Sequence, residues 1–247
     1  MITIYTTTKA QQQFLADLLE GENIAYTLVT TAPDNGFFLG FKDDKLTLFL
    51  ANSPLSLNVD FTSQDIQQRI NPQTAKPGII KAVEGKKKKA LHILDMTAGL
   101  GTDSFTLAAR GHTVISIEEN PYVFCLLKDG LFRANKNPQL THIAEKITIV
   151  NQNAIIHTKE MTTTFDIIYL DPMFPSRKKS AKVKKNMQLL HQLVQTSPDN
   201  DTMLFEQAKK LPHAKIIVKR PRHSDFLGQK TPTSQIIGKA NRFDIYA

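Results

Sequence analysis

The stretch His92–Asn120, H-I-L-D-M-T-A-G-L-G-T-D-S-F-T-L-A-A-R-G-H-T-V-I-S-I-E-E-N, constrains the fold of this chain more than any other. A short apolar run ends in an acid, a glycine-spaced loop follows, and a helical segment then leads to a second β-branched run. This strand, turn, helix, strand order is the unit from which parallel sheets are built. Ile93 and Leu94 close the first strand, and Gly99 and Gly101 permit a sharp turn with close approach of a ligand. The helix starts near Thr102, and Thr113–Ile117 forms the second strand. Glu118 stands about twenty residues past the loop, where a carboxylate can accept hydrogen bonds from a ribose diol. The segment therefore describes a pocket for a nucleotide-like ligand.

Two residues narrow the ligand. The third glycine of a dinucleotide fingerprint is replaced by Ser104, which disfavours a pyrophosphate packed on the helix. Asp95 ends the strand, and its carboxylate repels phosphate but suits a cationic amine. S-adenosylmethionine has that amine, a sulfonium and no phosphate, so it is the expected cofactor, ahead of a nicotinamide dinucleotide. Glu118 has a second reading as a solvated acid, with Glu119 as the better-oriented partner.

Phe165–Pro175, F-D-I-I-Y-L-D-P-M-F-P, is the other constellation that carries chemistry. Ile167, Ile168 and Leu170 mark a buried strand that ends in Asp171-Pro172-Met173-Phe174. Ligands of open α/β sheets gather at the carboxyl ends of strands, so Asp171 and the glycine loop should share one crevice. This chemistry suits methylation of an exocyclic base amine. Asp171 and the Pro172 carbonyl accept the two amine hydrogens, and Phe174 stacks on a base held out of its helix. Taken alone, Asp171-Pro172 also reads as a turn opener. Asn153, after the expected strand Ile147–Val150, is either a contact to an adenine edge or a turn residue.

The rest of the chain supplies organisation and charge. Strands at Ile2–Tyr5, Ala25–Val29, Phe37–Phe41 and Leu46–Leu50 and a helix over Gln11–Leu19 suggest a small α/β lobe in residues 1–75. Asn71-Pro72 and Pro77-Gly78 separate it from residues 76–247. The first part carries net charge −4 and the second +12, an asymmetry that points the second part toward a polyanion. The segment Ser176–Lys185 holds Arg177, Lys178, Lys179, Lys182, Lys184 and Lys185 directly after the base-binding turn, where an RNA backbone would pass. Lys219 and Arg220, after the expected strand Ala214–Val218, suggest a second basic patch. The run Lys86–Lys89 is either a solvated loop or a phosphate contact, and lysines at large also serve as solubilising surface.

The single cysteine, Cys125, excludes an intrachain disulfide and reads as a buried helix residue, consistent with a reducing cytoplasm. No apolar run reaches membrane-span length, the opening M-I-T-I-Y-T-T-T lacks signal-peptide features, and the histidines show no metal-ligand spacing.

The runs D-M-T-A-G-L-G-T-D-S-F with I-E-E-N-P, Y-L-D-P-M-F-P with K-S-A-K-V-K-K-N-M, then V-K-R-P and the terminal R-F-D-I-Y-A together resemble the ribosomal RNA small subunit methyltransferase J family. The resemblance covers Asp95–Ala247 and is weak over the first 75 residues. It implies an S-adenosylmethionine-dependent guanine N2-methyltransferase acting on small-subunit rRNA, free or in the assembled subunit, in bacterial cytoplasm. Its motifs place cofactor contacts at Thr102, Asp103, Glu118, Glu119, Asn153, Ala154 and Asp171. Glu119 and Asn153 depart from the family pattern, which leaves backbone contacts at both positions. The expected architecture is α/β, a Rossmann-like seven-stranded methyltransferase sheet with an antiparallel strand near the C-terminus and a small N-terminal α/β lobe. Two rival readings are a DNA adenine amino-methyltransferase and a non-catalytic RNA-binding protein with a degenerate pocket. Met173 in place of a second proline argues against the first, and intact Asp95, Gly99, Gly101, Glu118 and Asp171 argue against the other.

Overall fold

The computed structural model describes residues 1–85, 89–173, 185–194 and 198–247. Two sheets organise them. The first has the order β2-β1-β3-β4-β5, from β1 (Ile2–Tyr5), β2 (Tyr26–Val29), β3 (Phe37–Lys42), β4 (Lys45–Leu50) and β5 (Ser56–Leu57). β1 is parallel to β2 and to β3, and β3, β4 and β5 are antiparallel neighbours. A parallel pair needs a crossover, supplied here by α1 (Lys9–Leu19), which Thr8 caps and which buries Leu15, Leu18 and Leu19. Two short helices, α2 (Gln64–Ile70) and α3 (Gly78–Glu84), lead to the second sheet.

That sheet comprises β6 (His92–Asp95), β7 (Thr113–Ile117), β8 (Ile147–Val150), β9 (Phe165–Leu170), β10 (His213–Pro221), β11 (Ser234–Ile237) and β12 (Asn241–Tyr246). Its order is β11-β12-β10-β9-β6-β7-β8. β6 to β10 run parallel, and β12 is antiparallel to both β10 and β11, the reversed strand the sequence leads one to expect. β10 continues past Val218 because β12 pairs with it as far as Pro221 and Asn241. The helices among these strands are α4 (Thr102–Ala108), α5 (Pro121–Asn135), α6 (Thr141–Ala144), α7 (Ala154–His157), α8 (Lys185–Leu193) and α9 (Pro198–Lys210). The chain builds outward from β6 through β7 to β8, then returns to lay β9 on the other side of β6. This reversal is the switch point at which open sheets form crevices, and it puts Asp95 in register with Tyr169.

Ile93, Leu94, Ile168, Leu170, Ile217 and Val218 are fully buried, covered on both faces of the sheet, which is why these strands read as unbroken apolar runs. One apolar core continues from Leu39, Leu46 and Leu48 of the first sheet to Phe105, Leu127 and Leu131 beside the second. At this junction Phe61 stacks on Phe105 with centroids 4.0 Å apart. Gly130 of α5 admits Val59, since a Cβ there would lie 2.5 Å from Val59 Cγ1. Buried Asp129 accepts the Leu46 N–H at 3.2 Å and pairs with Arg133, tying α5 to β4. Cys125 is fully buried in α5, and burial pushes its thiol up to about 12, so it is inert. Among the described residues no helix is long and apolar enough to cross a membrane.

Candidate cofactor and base site

A cleft of about 360 Å³ opens at the carboxyl ends of β6, β7 and β9. Asp95 lies at its floor, 1% exposed. Its carboxylate accepts the Thr97 N–H at 3.0 Å and hydroxyl hydrogens from Thr97 and Ser104, while Ser116 donates to Ser104 at 3.0 Å. Ser104 thus has a positive reason to replace a glycine, because it anchors the strand-end acid to α4. Burial, with the nearby carboxylates of Asp103 and Asp171 adding, pushes Asp95 up to about 7.

Glu118 turns back on the glycine loop. Its two oxygens accept the backbone N–H groups of Gly99 at 2.8 Å and Asn120 at 2.9 Å. Burial first, then Glu119 and Asp95, push it up to about 7. Glu118 therefore clamps the loop to the end of β7, and exposed Glu119 is the freer carboxylate at the rim. Asn153 lines the cleft and serves as a helix cap. Its side-chain oxygen caps α7 by accepting N–H groups of Ile155 and Ile156, and its amide donates to Glu119 at 2.7 Å. Ala154 lines the cleft beside it. Of the two loop glycines only Gly99 lines the cleft; among the described residues beyond its chain neighbours, no atom lies closer than 3.9 Å to where its Cβ would stand. Gly101, expected to admit a ligand, instead faces Leu127, whose Cδ1 would lie 2.4 Å from a Cβ there.

Across the switch point, Asp171 donates its N–H to Thr97 Oγ1 at 2.7 Å, and its Oδ2 accepts from Lys219 Nζ at 2.7 Å. The same ammonium donates to Asp103 Oδ2 at 2.9 Å, an oxygen that also accepts the Tyr169 hydroxyl at 2.6 Å. Arg69 pairs with the other oxygen of Asp103. Burial and the Asp103 charge push Asp171 up to about 6, against the pull of Lys219. Burial would likewise raise Asp103, but Lys219 and Arg69 outweigh it and hold that acid below its ordinary value. Desolvation would lower Lys219, yet Asp171 and Asp103 together hold its ammonium charged above the usual lysine range.

Two expectations are corrected here. Lys219 is committed to both carboxylates inside the cleft and so is not part of a surface patch for RNA. Strand alternation sends Arg220 to the opposite face, where it is 8% exposed and donates to the Asp225 carbonyl. Neither side chain presents the exposed cation that a phosphate contact needs. Phe174, Arg177, Lys178, Lys179, Lys182 and Lys184, Lys86–Lys88 and the side chain of Lys185 lie outside the described residues. Arg69 belongs to the site although no motif marks it, and Thr97 and Tyr169 lie inside the quoted runs without a role that the runs reveal; the partners of all three lie 34 to 74 positions away in the chain.

Residues 23–247 match the sequence model of a family described as putative SAM-dependent methyltransferase. Ribosomal RNA small subunit methyltransferase J of Francisella philomiragia subsp. philomiragia is 46% identical over 221 residues, covering 85% of this chain and 91% of that protein. The chain belongs to the ribosomal RNA small subunit methyltransferase J family. The protein of the same name from Francisella tularensis subsp. novicida is 45% identical over 211 residues, covering 85% of this chain and 87% of its own. A crystal structure of a SAM-dependent methyltransferase from Neisseria gonorrhoeae shares the fold, with a TM-score of 0.77 and 32% identity over 99% of this chain and 95% of that one.

The cofactor of this methyltransferase family is S-adenosylmethionine, and the cleft has the matching chemistry. Six carboxylates line it (Asp95, Asp103, Glu118, Glu119, Asp171 and Asp201), suited to a ligand with two positive centres. The open side of Gly99 leaves room for close approach, and Ile117, Val123, Ala154, Ile155 and Leu204 supply an apolar wall for a purine.

Proposed function

We propose that this protein transfers a methyl group from S-adenosylmethionine to the exocyclic N2 amine of a guanine in small-subunit (16S) ribosomal RNA. The observation that carries the reading is the placement of Asp171-Pro172 beside the carboxylate-lined cleft, across the β6/β9 switch point. The names of the Francisella relatives support the RNA class, and the charge of +12 on residues 76–247 suits a polyanion.

In this reading Gly99, Thr102 and Asp103 border the methionine end of the donor, Glu119 and, through its remaining lone pairs, Glu118 take the ribose, and the backbone at Asn153 and Ala154 meets the adenine. Asp95 acts on the cationic amine through its field and by holding the loop. When bound, the donor supplies an electrophilic methyl on sulfonium. A base amine is a weak nucleophile because its lone pair is delocalised into the ring. Asp171 and the Pro172 carbonyl, accepting its hydrogens, favour the pyramidal form, and Phe174 stacks on the base. Lys219 fixes Asp171 Oδ2, leaving Oδ1 to accept the proton that the amine sheds. The apolar wall excludes water from the cation.

The basic segment Arg177–Lys185 continues the chain from the base-binding turn and is assigned to the RNA backbone. The proposal keeps residues 1–75 as a lobe and 76–247 as the methyltransferase domain, on the support of their separate sheets. The substrate is rRNA or the assembled subunit in the cytoplasm, and neither a membrane nor an obligate protein partner enters the scheme. Mass spectrometry of rRNA nucleosides from cells with and without the gene tests it. Loss of one N2-methylguanosine is expected, and an unchanged nucleoside profile would refute it.

A further inference from the structure

The cleft holds a cation that comes from the other lobe. Arg69 sits on α2, before the boundary near residue 75, and lines both the cleft and a neighbouring cavity bordered by Phe61, Leu100 and Thr102. Its Nε donates to Thr106 Oγ1 at 2.7 Å, and one terminal nitrogen pairs with Asp103. These contacts fix the plane of the guanidinium. The remaining terminal nitrogen, Nη1, makes no hydrogen bond among the described residues, and 31% of the side chain stays exposed.

A donor with an amino-acid tail brings one anion into a cleft lined by six carboxylates, and that anion needs a cationic partner. Among the described lining residues there are two basic side chains, Arg69 and Lys219. Lys219 is held between Asp103 and Asp171 at the base end. Asp103 does not oppose an anion near Arg69, because its oxygens already accept from Arg69, Tyr169 and Lys219. Arginine has five donors in a planar fork, so one edge can serve Thr106 and Asp103 while another serves a carboxylate. We propose that Arg69 of the N-terminal lobe binds the α-carboxylate of S-adenosylmethionine, so that the lobe completes the cofactor site.

This inference rests on the placement of the donor in this cleft, and its test separates the two. Decarboxylated S-adenosylmethionine keeps the adenosine, sulfonium and amine and lacks only the carboxylate. Calorimetry with both ligands on the wild-type protein should show the parent binding roughly ten- to a hundred-fold tighter, the range for a hydrogen bond to a charged group. In Arg69→Met that preference should collapse toward unity while the decarboxylated ligand binds as in wild type. Arg69→Lys, which keeps charge without the fork, should fall between. An unchanged preference in a folded Arg69→Met protein, or equal weakening of both ligands, overturns the assignment and leaves Arg69 as a structural partner of Asp103. Ala154→Leu, which narrows the cleft away from Arg69, should weaken both ligands alike. Full binding of both to that variant would overturn the placement itself, and the Arg69 assignment with it.

Discussion

Asp95 is costly to the empty protein. Its carboxyl is pushed from an ordinary 3.8 up to about 7, mainly because it is buried. Above pH 7 the folded protein must hold this group ionised, which at ~1.4 kcal/mol per pKa unit is a penalty of about 4 kcal/mol relative to the unfolded chain. The penalty shrinks as pH falls through 7 and is gone near the unfolded value of 3.8, so this group makes the protein more stable at low pH than at high pH. Asp95→Asn removes the charge and keeps an oxygen to accept the Thr97 N–H, but its amide nitrogen cannot accept the buried Ser104 hydroxyl, a loss of ~2 kcal/mol. The net expectation at pH 8 is a variant about 2 kcal/mol more stable than wild type, a Tm increase of about 4–8 °C for a chain of this size. At pH 5 that advantage should disappear or reverse. Urea unfolding of both proteins without cofactor, at pH 8 and pH 5, measures the difference. A gap that is the same at both pH values would refute the burial argument. The same substitution should weaken binding of the cationic donor, an exchange of stability for function.

Because Asp171 has to be ionised to accept amine hydrogens and is pushed up to about 6, turnover at saturating cofactor should fall as pH drops below about 6. Asp171→Asn should lower kcat at least ~100-fold with little loss of stability, checked by single-turnover methyl transfer and thermal unfolding. Gly130→Ala would normally favour a helix by ~1 kcal/mol, yet here the new Cβ meets β-branched Val59 at the lobe junction, so a net loss of about 2 kcal/mol is expected in denaturant unfolding. Reversing Lys178 and Lys179 to glutamate should weaken RNA binding and flatten its salt dependence while cofactor affinity holds; titrations at several salt concentrations decide it.

Where local pattern and tertiary environment agree, the chain is readable from its residues alone. Thr113–Ile117 and Ile147–Val150 are strands with the expected bounds, because β-branched residues in a parallel sheet are set by local shape and burial together. The switch-point cleft is equally legible, since Asp95 and Asp171 close adjacent strands. The roles of side chains within it are less so. Glu118 carries the spacing of a ribose ligand, yet the two backbone N–H groups its oxygens also hold, like the helix cap made by Asn153, depend on where the loop returns. Lys219 and Arg220 look like one basic patch in one dimension, and strand alternation separates them. Arg69 leaves no signal because its partner Asp103 lies 34 positions away, beyond any periodic pattern. The core that Phe61 and Val59 share with α4 and α5 likewise joins residues too far apart in the chain to leave a periodic signal.

The central claim is methyl transfer to a guanine amine organised by Asp171. Purified wild-type protein and Asp171→Asn should each be incubated with methyl-tritiated S-adenosylmethionine and small-subunit RNA from cells that lack the gene, and the digested nucleosides separated. Label in N2-methylguanosine with wild type, and its near absence with Asp171→Asn, is the expected result. Label in another nucleoside, or equal label from both proteins, would contradict the account.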